Sequence, residues 1–198
     1  MDVFAPGVER LVPYASNDGV LERLGPYVGG RRSKRDRHVY MGKGALVYPD
    51  GTVEWQDEEW MPNALADEGE ASMINVYLRE QAHPTKFLAL LNDSGIVETD
   101  TMATMIDSNT PGSNGYNRQA FTAGGGDWGA PSLDTGDHQS TASQKTFGPA
   151  TATWTITHAA FVTTSTGTAG LFLGYIATTT TTVGNTVSYL YTAKWKLQ

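Results

Sequence analysis

The end of the chain alternates with period two. Val187, Tyr189, Tyr191, Ala193, Trp195 and Leu197 fall on one face, Ser188, Thr192, Lys194 and Lys196 on the other, and Leu190 alone breaks the polar side. Successive side chains of a strand point to opposite faces, so the pattern predicts an antiparallel strand buried on one side. Two further strands are predicted upstream, Thr151–Thr164 and Gly170–Thr178, separated by Ser165-Thr166-Gly167-Thr168. Val183-Gly184-Asn185 turns the chain into the last strand. The run Thr178–Thr182 reads as an exposed edge or turn, because β-branched residues favour extension without requiring burial.

Residues 63–82 change to a helical period. Leu65, Met73, Val76 and Tyr77 share a stripe with Gly69, and Ile74 and Leu78 lie beside it. Asn63 after Pro62 is the expected N-cap, and Asp67, Glu68 and Glu70 suit the positive helix end. A glycine inside a helix costs about 1 kcal/mol against alanine, so Gly69 implies close packing against a neighbour. Pro84 ends the helix; Lys86–Leu91 then reads as a buried strand, closed by Asn92-Asp93-Ser94-Gly95. Residues 96–150 read as loop-rich, with Asn117–Phe121 a short strand between the irregular runs Asn109–Gly115 and Gly124–Gly129.

Residues 1–62 are broken by Pro6, Pro13, Pro26 and Pro49 and by frequent glycines, which excludes a long helix. Pro49-Asp50-Gly51-Thr52 predicts a small hairpin between Ala45–Tyr48 and Thr52–Trp55. The expected organisation is an extended N-terminal arm with that hairpin over 1–62, then one domain over 63–198. The fold class expected is mainly β: an antiparallel β-sandwich or jelly-roll-like domain with one packed helix (63–82).

Composition agrees with this division. Glycine is abundant at 22 residues and only 18% of residues are charged, most of them before residue 100, so the second half is a quiet, threonine-rich sheet. A net charge of −7 makes the chain as a whole repel phosphate, so nucleic acid is not the expected partner. No cysteine is present to form a disulfide or a thiolate metal site. The first ten residues lack a basic region followed by an apolar run, so no secretory leader is expected, and no segment is apolar enough to predict a membrane span.

The densest charge is Arg31, Arg32, Lys34, Arg35 and Arg37 with His38. A solvated loop is the plain reading; the sharper one is an arm meeting an acidic protein surface. Asp36 interrupts the run and no aromatic residue stands beside it for base stacking. Glu54, Asp57, Glu58 and Glu59 surround Trp55 and Trp60, which reads as a solvated acidic patch with the two tryptophans as partner-binding anchors. Asp127, Asp134, Asp137 and His138 lie in glycine-rich sequence without metal-ligand spacing and read as an ordinary polar loop. His158 reads as a hydrogen-bonded core or interface histidine. Gly124-Gly125-Gly126 lacks the lysine and following helix of a phosphate loop. No catalytic residue, cofactor or metal is expected. A carbohydrate-binding module stays open as an alternative, because Trp128, Tyr116 and Phe121 among polar loops could stack on sugars.

Several further segments carry a resemblance. They are the helix with Glu68-Gly69-Glu70, Phe87-Leu88-Ala89-Leu90, Asp100-Thr101-Met102-Ala103 and Tyr116-Asn117-Arg118-Gln119-Ala120-Phe121. Gly170-Leu171-Phe172-Leu173-Gly174 and Gly184-Asn185-Thr186-Val187 complete the set. From about residue 63 onward the chain resembles a family of small tailed-bacteriophage virion structural proteins, of the capsid decoration or tail-fibre kind. The resemblance implies a virion protein, assembled in the host cytoplasm, that works by protein–protein contact. The expectation drawn here is a capsid decoration or cement protein on the major capsid protein or other virion proteins, forming a homo-oligomer. A tail, baseplate or fibre subunit is the alternative.

Overall fold

The computed structural model describes residues 38–122 and 126–197. In chain order the elements are β1 (His38–Val47), β2 (Val53–Trp55), β3 (Met61–Leu65), α1 (Asp67–Arg79), β4 (Lys86–Leu91) and β5 (Gln119–Phe121). They continue with β6 (Ser132–Asp134), β7 (Asp137–Thr141), β8 (Lys145–Phe147), β9 (Trp154–Val162), β10 (Phe172–Val183) and β11 (Ser188–Leu197). Every strand pairing is antiparallel, and the path runs β5-β4-β9-β10-β3-β1-β11-β7-β6, with β2 added on β1 and β8 on β11.

β3 is the corner of this path. Met61 and Pro62 pair with Gly42 and Met41 of β1, whereas Asn63–Leu65 pair with Ile176–Gly174 of β10. The halves on either side of it share one core. Leu88, Leu90, Ile156, Phe161 and Ile176 from one half meet Leu46, Phe147, Tyr189, Tyr191 and Ala193 from the other. On the outer face of the first half, Ala89, Leu91, Ala160, Val162 and Phe172 are covered by Ile96, Met102 and Met105 of the loop after β4. The result is a mainly β, sandwich-like structure with a single helix among the described residues.

The alternation in β11 appears as predicted, with Tyr189, Tyr191 and Ala193 buried and their intervening residues partly open. Two glycines of β1 make room for the tyrosines. A Cβ on Gly42 would lie 1.9 Å from the Tyr191 hydroxyl oxygen, and one on Gly44 would lie 1.7 Å from that of Tyr189. Large rings on one strand thus fill what the neighbouring glycines leave open.

Two expectations are corrected. The extended arm stops short of residue 62, because β1 pairs along its whole length with β11, His38 opposite Leu197 through Val47 opposite Ser188. The hairpin forms where expected, Ala45–Val47 against Trp55–Val53, with Gly51 at φ 86° in the turn. It is part of the sheet; residues 1–37 of the expected arm lie outside the described residues. The helix is shorter than 63–82. Asn63 belongs to β3, and Ala66 occupies the N-cap without a side-chain hydrogen bond. The Ala66 N–H goes instead to Leu173 O at 3.3 Å, and that of Asp67 to Glu98 O at 3.0 Å. Tertiary partners replace the cap.

Gly69 is the only buried residue of α1, and a Cβ there would lie 1.9 Å from Leu173 O. The helix is therefore seated by backbone-to-backbone approach, which leaves Ile74, Tyr77 and Leu78 exposed. The threonine run is strand and not turn: β10 continues through it to Val183. The pairing with β3 ends at Ile176, so beyond that point the run has β9 alone as its ladder partner and exposes Thr179, Thr180 and Thr182, as an edge does. The register of β10 with β9 shifts twice, between Phe172 and Gly174 and between Ala177 and Thr181.

Candidate functional site

The cluster Arg31, Arg32, Lys34, Arg35 and Arg37 lies outside the described residues. Trp55, at the end of β2, is 53% exposed, and Val53 on the same short strand is open as well. Trp60 is half-buried on the sheet surface. The ammonium of Lys194 sits 4.2 Å from its ring centroid and that of Lys43 5.9 Å, so the indole clamps lysines of β11 and β1. Cation–π contacts of this kind are worth about 0.5–2 kcal/mol each.

The acidic patch around these tryptophans divides. Glu58 and Glu59 are exposed, but Asp57 is 2% exposed. Its Oδ2 accepts the Gly44 N–H at 2.9 Å and its Oδ1 the Thr179 N–H at 2.8 Å. Thr179 lies in the second register shift of β10, where its N–H has left the ladder with β9. Glu68 does the same at the first shift, accepting the Phe172 N–H at 2.7 Å. Both bulges of one strand are thus closed by carboxylates from the preceding part of the chain.

The other acids are engaged similarly. Asp127 accepts from Lys145 Nζ and Ser143 Oγ at 2.6 Å each, and from the Thr122 N–H. The Lys145 bond first, then those from Ser143 and Thr122, pull its pKa below the ordinary carboxylate value. Asp134 and Asp137 flank the Thr135-Gly136 turn and hold Lys196 at 3.2 and 3.6 Å. Among the described residues no three His, Asp or Glu side chains converge as metal ligands. His158 contacts Thr157 Oγ1 through Nδ1 at 3.1 Å and meets Tyr175 edge-on; burial pushes its pKa down.

The aromatics proposed for sugar stacking are mostly core. Tyr116 is fully buried and Phe121 4% exposed. The Tyr116 hydroxyl receives the Leu90 N–H at 3.0 Å and donates toward Asp107 Oδ1 at 2.8 Å. Asp107 in turn pairs with the guanidinium of Arg118, 2.6 Å from Nη2 and 3.2 Å from Nε. Arg118 also reaches Thr164 O and Gly167 O, tying the β9–β10 loop to this network. The segment Tyr116–Phe121 is structural.

Trp128 alone of the three keeps an open side, and it looks into a cleft of about 420 Å³ that the sequence did not reveal. Tyr77 at the end of α1, Lys86 at the start of β4, Trp128, Pro131, His138–Ser140 of β7 and Trp195 of β11 line it. Trp128 is fixed from behind by Phe121 and Phe161, with ring centroids 5.4 and 6.4 Å away. Lys86 Nζ lies 5.5 Å from the Trp195 ring centroid, and burial lowers the lysine's pKa from its ordinary value. Trp195 occupies a core-side position in the alternation of β11, so the sequence reads it as core; only the pairing of Trp195 with Ser140 places it at a cleft wall.

No helix of the described residues is long and apolar enough to cross a membrane. No curated protein and no solved structure matches the chain. Residues 64–196 match the family described as podophage GP4 fiber I protein gp80. That span runs from the end of β3 almost to the end of β11 and includes the helix, both bulges and every segment that carried the resemblance. The chain belongs to this family of tailed-phage virion structural proteins, described as podophage GP4 fiber I protein gp80.

Proposed function

We propose that the protein is a subunit of a podophage tail fibre, acting through contacts with other virion proteins and not through catalysis. The family match over residues 64–196 carries this reading, since the family is described as a fibre protein. It takes the place of the capsid decoration role as the leading reading. Two surface features support partner contact: Val53 with Trp55 on β2, and Ile74, Tyr77 and Leu78 on α1, all exposed. Large apolar side chains grouped on a surface are characteristic of protein–protein interfaces. Asp57, Glu68, Asp107, Asp127, Asp134 and Asp137 are committed to lysines, an arginine and backbone N–H groups, an arrangement that holds a sheet together.

Gold-labelled antibody against the protein, applied to intact virions and viewed by electron microscopy, tests the assignment. Label on the tail supports it. Label over the head and none on the tail restores the decoration reading.

A further inference from the structure

The cleft between α1 and the β7–β11 edge shares only Tyr77 with the contact surfaces just proposed. We propose that it binds an acidic saccharide, a pyranose ring bearing a carboxylate, with Tyr77, Trp128 and Trp195 offering ring faces and Lys86 meeting the acid.

The lining sets the ligand chemistry. Three aromatic side chains from three different elements border a space of about 420 Å³, within the range of small-molecule sites. Aromatic faces accept the apolar C–H face of a sugar ring, while His138, Gln139 and Ser140 bring hydrogen-bonding groups to its hydroxyls. Trp128 is preorganised by its packing on Phe121 and Phe161, so little ordering accompanies binding there.

The charge sets the subclass. Lys86 is half-buried against Trp195, and no carboxylate lies within ion-pair distance of it among the described residues. None of the lining residues is acidic, although the chain carries 21 acids and a net charge of −7. A partly desolvated cation without a counter-charge is costly, and a ligand carboxylate compensates it with a charge-assisted hydrogen bond. A nucleic acid would also bring anions and flat rings. However, it requires several cations along its backbone, and this cleft supplies one in a chain whose overall field repels phosphate.

The test uses the full chain with its tryptophan indoles labelled with ¹⁵N and assigned by single Trp→Phe substitutions. A galacturonic acid hexamer is titrated beside neutral maltohexaose and a hexamer of thymidine nucleotides. The expected result is saturable movement of the Trp128 and Trp195 indole signals with the acidic sugar, with Trp154 unmoved. Lys86→Met keeps the stem over Trp195 and removes the charge; it should weaken acidic-sugar binding about tenfold while leaving the response to maltohexaose unchanged. Tyr77→Ala, at an exposed position, should weaken binding without altering the melting temperature. The proposal is overturned by no saturable shift with either sugar or by equal responses to acidic and neutral hexamers. A stronger response to the oligonucleotide, or shifts confined to Trp55 and Trp60, would overturn it equally.

Discussion

Asp57 Oδ1 accepts the backbone N–H of Thr179 at 2.8 Å, joining residues 122 apart in the chain. The same carboxylate takes the Gly44 N–H, so one side chain fastens β1 to the bulge of β10. Asp57→Ala would leave the buried Gly44 donor and the partly buried Thr179 donor without their acceptor, at about 1–3 kcal/mol for a fully buried one and less for the other. The expected loss is about 3 kcal/mol, roughly 6–12 °C in melting temperature for a chain of this length. Asp57→Asn keeps one carbonyl oxygen and should fall between this variant and the parent. Thermal denaturation followed by circular dichroism decides; an unchanged Asp57→Ala would mean that the bulge is held by other contacts.

Gly69 supplies a prediction against helix propensity. Alanine in place of a mid-helix glycine ordinarily gains about 1 kcal/mol. Here the new methyl would lie 1.9 Å from Leu173 O, a backbone atom, so α1 must lift away from β10. Overpacking of this kind costs about 1–3 kcal/mol, so Gly69→Ala should destabilise by urea denaturation. A gain in stability would show that the helix is free to move.

What the sequence revealed depended on whether the cause was local. The alternation of β11 is a local pattern with one buried face, and it was legible; the Gly69 approach was legible because a glycine inside a helix demands a neighbour. β6, β7 and β8 are three to five residues each with at most one apolar side chain, and become strands only because β11 offers β7 and β8 a ladder and β7 in turn offers one to β6. Asn63 carries every local sign of a helix cap, yet pairing with Ile176 makes it strand. Asp57 reads as one more exposed acid because its partner Thr179 sits in a uniform threonine run. The cleft was hidden for the same reason: Tyr77, Lys86, Trp128 and Trp195 meet only through long-range pairing.

The Asp127 cluster predicts a pH dependence. Its pKa is lowered in the folded chain, so the carboxylate contributes stability above its unfolded value of about 3.9 and loses it as pH falls through the folded value. Asp127→Asn should therefore cost about 1 kcal/mol at pH 7, the scale of a largely covered surface pair, and progressively less below about pH 4. Urea denaturation of parent and variant between pH 7 and pH 2.5 measures the closing gap. A gap constant across that range would assign the effect to the hydrogen bonds, independent of charge.

The last prediction concerns the leading residues. β1 begins at His38, and its first three residues pair with Leu197, Lys196 and Trp195, so a deletion that enters β1 removes sheet as well as arm. Deletion of residues 1–37 stops short of that strand and should leave a cooperative unfolding transition within a few degrees of the parent. If the basic cluster of Arg31, Arg32, Lys34, Arg35 and Arg37 meets an acidic partner surface, the truncated chain should fail to co-sediment with virion particles lacking this protein. The full chain should attach, and its attachment should weaken as salt rises from 50 to 500 mM, because exposed charge pairs are screened within about 10 Å at 0.1 M. Replacing Arg31, Arg32, Lys34 and Arg35 by alanine separates charge from length. Lost attachment in that variant assigns the contact to the cluster. Full, salt-insensitive attachment by the truncated chain would instead move the interface to the apolar residues of β2 and α1, where Trp55 and Leu78 stand exposed.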